Sequence, residues 1–314
     1  MLVLITGVAG FIGSHLAARL AARGDHVVGI DNFDETLYPA SLHMANLAQV
    51  ADVVAFTKGD LLDAELLEQL FSRHRFDAIV HLGALAGVRP SLQQPKRYQR
   101  VNIEGTLNLL EACRAYAVRR FVFASSSSVY GAHNEVPFRE RDPAVRPASP
   151  YAASKRAGEL FCSNYSDLYG IATSALRFFT VFGPRQRPEM AIHKFARLIQ
   201  SGQPVPFYGD GSSARDYTFI DDIIDGVVAS VDHCGDGRHR VYNLGGSRTT
   251  TLARLIELLE EQLGRRAILD RQPDQPGDVP ITYADVTEAA RDLGYAPKVP
   301  IEEGIARFCA WFKA

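Results

Sequence analysis

The stretch LVLITGVAGFIGSH, running from Leu2 to His15, decides the fold. Leu2–Thr6 is an apolar run of the length of a buried strand, and Ile12–Arg23 has the spacing of an amphipathic helix. Between them Gly7, Gly10 and Gly13 form T-G-x-x-G-x-x-G, with Phe11 and Ile12 inside the turn. Glycines at this spacing permit a tight turn, close approach of a pyrophosphate and close helix–strand packing. The pyrophosphate then rests on the positive end of the helix.

Working outward, the second strand, His26–Ile30, ends on Asp31. A carboxylate there accepts hydrogen bonds from both ribose hydroxyls of a dinucleotide and repels a 2′-phosphate. The residues that follow, Asn32, Phe33, Asp34 and Glu35, bring no arginine, so the expected cofactor is NAD rather than NADP. Asp60 and Leu61 follow a third strand, Val53–Thr57, where they can meet the adenine edge. A helix N-cap region is a nearly equal reading of Asp60 alone.

Further strands are expected at Ala78–Leu82, Phe121–Ser125 and Thr173–Phe178, and helices at Asp63–Arg73, Tyr98–Tyr116 and Ala153–Leu168. Short apolar strands alternating with helices imply an α/β fold of Rossmann type, a doubly wound parallel sheet covered on both faces. After Phe178 prolines and glycines become frequent, and helices (Ile192–Ser201, Leu252–Leu263, Ile301–Trp311) alternate with irregular segments. We therefore expect a dinucleotide-binding domain over 1–178 and a smaller α/β substrate lobe over 179–314, interleaved so that about 218–245 returns to the first.

The chain has 314 residues, 46% hydrophobic and 22% charged, with net charge −2. That balance points to no nucleic-acid partner and no anionic membrane. The first residues lack the basic region and cleavage site of a signal peptide, and no stretch reaches the roughly 20 apolar residues of a membrane span, so a cytoplasmic protein is expected. Cys113, Cys162, Cys234 and Cys309 lie far apart, as reduced packing residues do. The nine histidines show no ligand spacing, so no metal is expected.

Tyr151-Ala-Ala-Ser-Lys155 opens a predicted helix, and an i, i+4 spacing puts both functional side chains on one face. A lysine ammonium and a positive nicotinamide ring both favour phenolate, so the phenol is expected to fall from about 10 toward neutrality. Such a base takes a hydroxyl proton while hydride leaves the same carbon.

The segments TGVAGFIGSH, HLGALAGVRPS, FASSSSVYG, SPYAASK, RFFTVFGPRQRPEMA, GSSARDYTFIDD and QPGDVP together resemble the extended short-chain dehydrogenases, specifically nucleotide-sugar epimerases and dehydratases. The resemblance spans nearly the whole chain. It implies that Tyr151 takes the proton from the sugar 4-OH while NAD accepts hydride from C4, with Lys155 beside it and Ser126 bonded to the same hydroxyl. It places Leu82, Gly83 and Ala84 against the cofactor. Related dehydratases carry Asp-Glu at the positions of Ser127-Ser128, and decarboxylases Glu at Ser128; serine at both implies simple epimerisation.

Thr180, where glucose-type epimerases commonly have Asn, and the segment Gln275–Pro280 are most similar to UDP-glucuronate 4-epimerases. A 4-keto uronate is a β-keto acid, so its carboxylate must be held in an orientation that does not lose CO₂. Ser127, Ser128, Thr180 and Arg185 are the expected anchors, with Arg187 or Arg89 as other cations. By the same resemblance Arg215 meets the diphosphate, Gln275 and Asp278 meet phosphate and uridine ribose, Arg89 faces the cleft, and the protein forms a homodimer. The alternatives are a 4-epimerase for UDP-glucose or UDP-N-acetylglucosamine, a decarboxylase, and a non-catalytic nucleotide-sugar or NAD-binding relative.

Overall fold

A computed structural model describes residues 1–131, 135–273 and 280–314. Its first part comprises β1 (Leu2–Thr6), α1 (Phe11–Ala22), β2 (His26–Asp31), α2 (Ala40–Ala48), β3 (Val54–Lys58), α3 (Ala64–Arg73), β4 (Ala78–His81), α4 (Val88–Gln93), α5 (Pro95–Gln99), α6 (Gly105–Ala115), β5 (Arg120–Ser126), α7 (Pro150–Tyr169) and β6 (Ala172–Phe178). The remainder adds β7 (Thr180–Phe182), α8 (Ala191–Ser201), β8 (Pro204–Tyr208), β9 (Ala214–Arg215), β10 (Tyr217–Phe219), α9 (Ile220–His233), β11 (His239–Leu244), β12 (Thr250–Thr251), α10 (Leu252–Leu263), β13 (Ile268–Gln272), α11 (Thr287–Leu293) and α12 (Ile301–Lys313).

Seven strands form one sheet in the order β11-β6-β5-β4-β1-β2-β3. Every neighbouring pair is parallel. Successive residues of each strand face opposite sides. Thus Val3, Ile5, Val80 and Val122 join one buried cluster, while Leu4, Ile79, Phe121 and Phe123 join another. Burial on both faces explains why these strands read as continuous apolar runs. The strand order reverses between β1 and β4, which opens a crevice beyond their carboxyl ends.

Past β6 the chain builds small two-stranded pairings: β7 with β10, β8 with β13, and β9 with β12. Helices α8, α10 and α12 pack around one another beside them. Between these pieces α9 returns to pack on α1, and β11 takes the sheet edge next to β6. Among the described residues no helix is long and apolar enough to cross a membrane.

The helix expected over Tyr98–Tyr116 is interrupted. A wide π turn, Arg100–Glu104, separates α5 from α6 and carries the buried Asn102. Asn102 Oδ1 accepts from the Leu85 amide at 2.8 Å, and Nδ2 donates to the Leu85 carbonyl and to Ser154 Oγ, each at 2.9 Å. The turn thus fastens the loop after β4 to α7, a tertiary demand that periodicity does not register.

His81, at the end of β4, is buried between Thr6 and Thr106. Thr106 Oγ1 donates to the Asn102 carbonyl, so it accepts from His81 Nε2. The Gly83 amide donates to Thr6 Oγ1, which leaves the Thr6 hydroxyl proton for His81 Nδ1. Only a neutral imidazole satisfies this chain, and burial, with Lys155 nearby, pushes His81 down to about 3. The unfolded ring takes up a proton near pH 6.5, so stability held by neutral His81 is complete above that pH and is lost as pH falls toward 3. By pH 5 the loss reaches about 2 kcal/mol. The thermal midpoint of His81→Gln should therefore fall less between pH 7 and 5 than that of the unaltered protein. Parallel falls would exclude His81 as the source.

Candidate active site

The crevice is a cleft of about 470 Å³ that reaches from the glycine turn to the start of α7. Its floor is the turn itself. Gly7 has φ +70°, and a Cβ there would stand 2.8 Å from the Gly83 nitrogen. A Cβ on Gly13 would stand 2.1 Å from the Gly7 carbonyl, so α1 sits against the turn as only glycine allows. Helix α1 has no side-chain cap and no acid in its first turn. Its positive end therefore opens on the cleft, as an anion site requires.

Asp31 closes the side of the cleft next to β2. Its Oδ2 accepts from the Ala9 amide at 3.1 Å and its Oδ1 from the Phe33 amide at 2.9 Å. These two bonds fix the carboxylate and leave lone pairs for a diol. Burial pushes its pKa up against the pull of those amides. Asn32 Nδ2 donates to Asp60 Oδ2 at 2.8 Å, so the ends of β2 and β3 are tied together. Gly10, Phe11, Ile12, Leu61, Leu82, Gly83 and Ala84 line the same cleft. The donor set and the glycine floor fit a dinucleotide.

At the other end Ser149 caps α7, its Oγ accepting from the Ala152 amide at 3.1 Å, and Pro150 occupies the first turn. This start sets Tyr151 and Lys155 one turn apart, and both line the cleft. Lys155 Nζ donates to the Ala124 carbonyl at 2.7 Å. Burial pushes Lys155 down to about 7. Burial also pushes Tyr151 up, while the nearby Ser126 hydroxyl and the Arg187 cation pull it back. The expected fall of the phenol toward neutrality is therefore not what the protein's own groups produce, because loss of hydration outweighs them.

Ser126, Ser127 and Ser128 turn over the cleft after β5, and Ser126 and Ser128 hydroxyls bond to each other. Thr180 faces them from β7. The cation in this group is Arg187, which lines the cleft and pairs through Nε with Glu189 Oε1 at 3.1 Å.

Arg185 is placed elsewhere. It has φ 66°, and this left-handed turn carries its side chain back over α1, where Nε lies 3.1 Å from His15 Nε2. Arg89 is exposed on α4 and does not line the cleft. Arg215 also lies off its wall; its Nη1 donates to the Ala214 and Pro280 carbonyls. Gln275 and Asp278 lie outside the described residues. Tyr38 and His43 are among the lining residues that escaped the sequence reading. They belong to α2 and the loop before it, and Pro39 ahead of Ala40 was the available signal for that helix.

The profile of the family described as GDP-mannose 4,6 dehydratase matches residues 4–308. UDP-glucuronate 4-epimerase 1 of Arabidopsis thaliana is 42% identical over 328 residues, covering 99% of this chain and 76% of that protein. The crystal structure of a UDP-glucuronic acid 4-epimerase from Bacillus cereus, in complex with UDP-glucuronic acid and NAD, superimposes with TM-score 0.92 at 36% identity, over 100% of this chain and 99% of that one. A UDP-glucose 4-epimerase from Thermotoga maritima, solved with UDP-glucose, gives TM-score 0.92 at 33% identity over 100% and 99%.

Proposed function

The chain belongs to the family described as GDP-mannose 4,6 dehydratase, and on that premise we propose that it is an NAD-dependent UDP-glucuronate 4-epimerase. The observation that carries this reading is the make-up of the wall facing Tyr151. Ser126, Ser127, Ser128, Thr180 and Arg187 line the cleft with it, and neither Ser127 nor Ser128 is a carboxylate. A dehydratase needs an acid and a base there to eliminate water, and this chain offers neither.

Gly7, Gly10 and Gly13 hold the pyrophosphate, and Asp31 holds the adenosine ribose. When bound, NAD accepts hydride from C4 of the sugar and returns it. Tyr151 takes the 4-OH proton, and the neighbouring Ser126 hydroxyl passes or steadies it. Lys155, fixed by the Ala124 carbonyl, holds the phenol end of α7 in place and adds its charge when protonated. The 4-keto sugar turns over, and the same tyrosine gives the proton back on the opposite configuration.

Arg187 takes over the carboxylate-binding role expected of Arg185. With Ser127, Ser128 and Thr180 it keeps the uronate carboxylate near the plane of the C4 carbonyl, where loss of CO₂ is slow. A charged hydrogen bond of this kind contributes about 1.5–3 kcal/mol. Arg187→Ala should therefore raise KM for UDP-glucuronate by roughly ten- to a hundredfold. KM for UDP-glucose should change little.

Incubation with NAD and, separately, UDP-glucuronate, UDP-glucose and UDP-N-acetylglucosamine, followed by NMR of the products, tests the whole reading. UDP-galacturonate is the expected product. Turnover of UDP-glucose with UDP-glucuronate left untouched would replace it by the glucose-type alternative. Release of a UDP-pentose would mean that the serine wall does not prevent decarboxylation. The exposed Leu160 and Leu168 on α7 support a homodimer built on that helix. A monomer mass by light scattering would remove that part.

A further inference from the structure

Helix α2 packs Leu47 against the core but turns its other large apolar residues outward. Over Ala40–Ala48 its one buried side chain is His43, while Leu42 and Met44 stand 38% and 53% exposed. A short helix with leucine and methionine to spend does not ordinarily bury an imidazole instead. The ring is 7% exposed, stacks on Tyr38 with centroids 4.4 Å apart, and lines the cofactor cleft. Neither of its nitrogens has a hydrogen-bond partner. Buried polar atoms are nearly always bonded, so an imidazole with two unpaired, solvent-shielded nitrogens beside a ligand cleft marks a place for a ligand group.

The surroundings say which group. His43 Nδ1 stands 3.8 Å from Asp31 Oδ1, inside ion-pair range but beyond hydrogen-bond reach. The frame around this gap is rigid. Asn46 of α2 donates to the Ala9 carbonyl, and the Ala9 amide donates to Asp31. The glycine turn, the carboxylate and the imidazole are therefore held in one network. A hydroxyl entering between Asp31 and His43 donates to the first and bonds to the second, and a ribose presents such a hydroxyl next to its pair.

We propose that His43 is a cofactor-binding residue that, together with Asp31, hydrogen-bonds the adenosine ribose of the dinucleotide. This rests on the reading of the cleft as an NAD site and adds to it a residue that selects the ribose diol. His43 follows Asp31 by twelve residues, and α2 carries it to the cleft. Asp31 supplies acceptor atoms and His43 Nδ1 stands 3.8 Å from one of them, so a single hydroxyl bridging the pair touches both.

The test is equilibrium titration of nucleotide-free protein with NAD and with its analogue bearing 2′,3′-dideoxyadenosine. His43→Phe keeps the ring against Tyr38 and removes both nitrogens; His43→Gln restores a polar group. We expect His43→Phe to raise the Kd for NAD about tenfold and to leave the Kd for the dideoxy analogue within twofold, with His43→Gln between the two proteins for NAD. Equal weakening toward both ligands, or NAD binding unchanged in His43→Phe, would overturn the assignment and leave His43 as an ion-pair partner of Asp31 alone. Failure of the unaltered protein to bind NAD would overturn both this assignment and the cofactor reading beneath it, which separates the two.

Discussion

Tyr151→Phe is expected to lower the turnover of UDP-glucuronate by about 10²–10⁴-fold, the range contributed by a positioned acid–base group, while leaving the Kd for NAD unchanged. The phenol oxygen is the one atom removed. Its ring contacts, including the edge of Tyr98 at 6.3 Å, persist, so the cleft keeps its shape. The prediction carries a second part. Burial raises the Tyr151 pKa, and the Ser126 hydroxyl and Arg187 act against it without overcoming it. Deprotonation must therefore be drawn out by the occupied cleft. Tyr151 should show an ordinary or elevated ionisation in the nucleotide-free protein and a lower one once NAD is bound, read by ultraviolet difference titration. Full activity in Tyr151→Phe would end the acid–base assignment. An equally low tyrosine ionisation with and without NAD would end the second part.

The other large effect is on stability. Glu159 and Arg177 are 1% and 2% exposed and face each other across α7 and β6. Arg177 Nη2 donates to Glu159 Oε2 at 2.8 Å and Nε to Oε1 at 2.9 Å, a two-pronged contact. Ser125 Oγ and Arg156 Nη1 complete the carboxylate at 2.6 and 2.8 Å. Burial alone would raise Glu159, yet Arg177 and these partners hold it below the usual carboxylate range. Removing one member of a buried pair strands the other, at a cost of about 3–5 kcal/mol. Glu159→Ala should lose that much in urea unfolding at neutral pH, and Glu159→Gln distinctly less, because the amide oxygen still accepts. A loss below about 1 kcal/mol for Glu159→Ala would mean that Arg177 reaches solvent or another acceptor. Activity should fall as well. Ser125 lies between Ala124, which holds Lys155, and Ser126, so the end of β5 is braced by this carboxylate.

Much of this architecture was legible because its physics is local. Leu2–Thr6 needed only its apolar run, and Asp31 only its place at the end of the second strand. Tyr151 and Lys155 were put on one helix face by their i, i+4 spacing, and read as catalytic because they follow a dinucleotide turn. What escaped depended on where the chain travels in space. Arg185 and Arg187 are equivalent cations in sequence; a left-handed backbone at the first sends it over α1 and leaves the second in the cleft. The break between α5 and α6 follows from Asn102 reaching Leu85 and Ser154, partners 17 and 52 residues away. His43 hid in a helix whose Leu42 and Met44 point outward. The direction of the Tyr151 shift could not be read from a Tyr–Lys spacing, since burial sets it.

The return of the chain to the sheet edge limits how this protein can be recombined with its relatives. A chimera joined once, at residue 178, would pair the native β6 with a foreign β11, and any mismatch in register there would leave a strand flank open to intermolecular pairing. It would also exchange α9, which packs on α1, for a foreign helix against a native partner. Grafting a new sugar preference onto this scaffold therefore calls for several crossovers, with α9 and β11 travelling with the N-terminal parent and only the intervening pieces replaced.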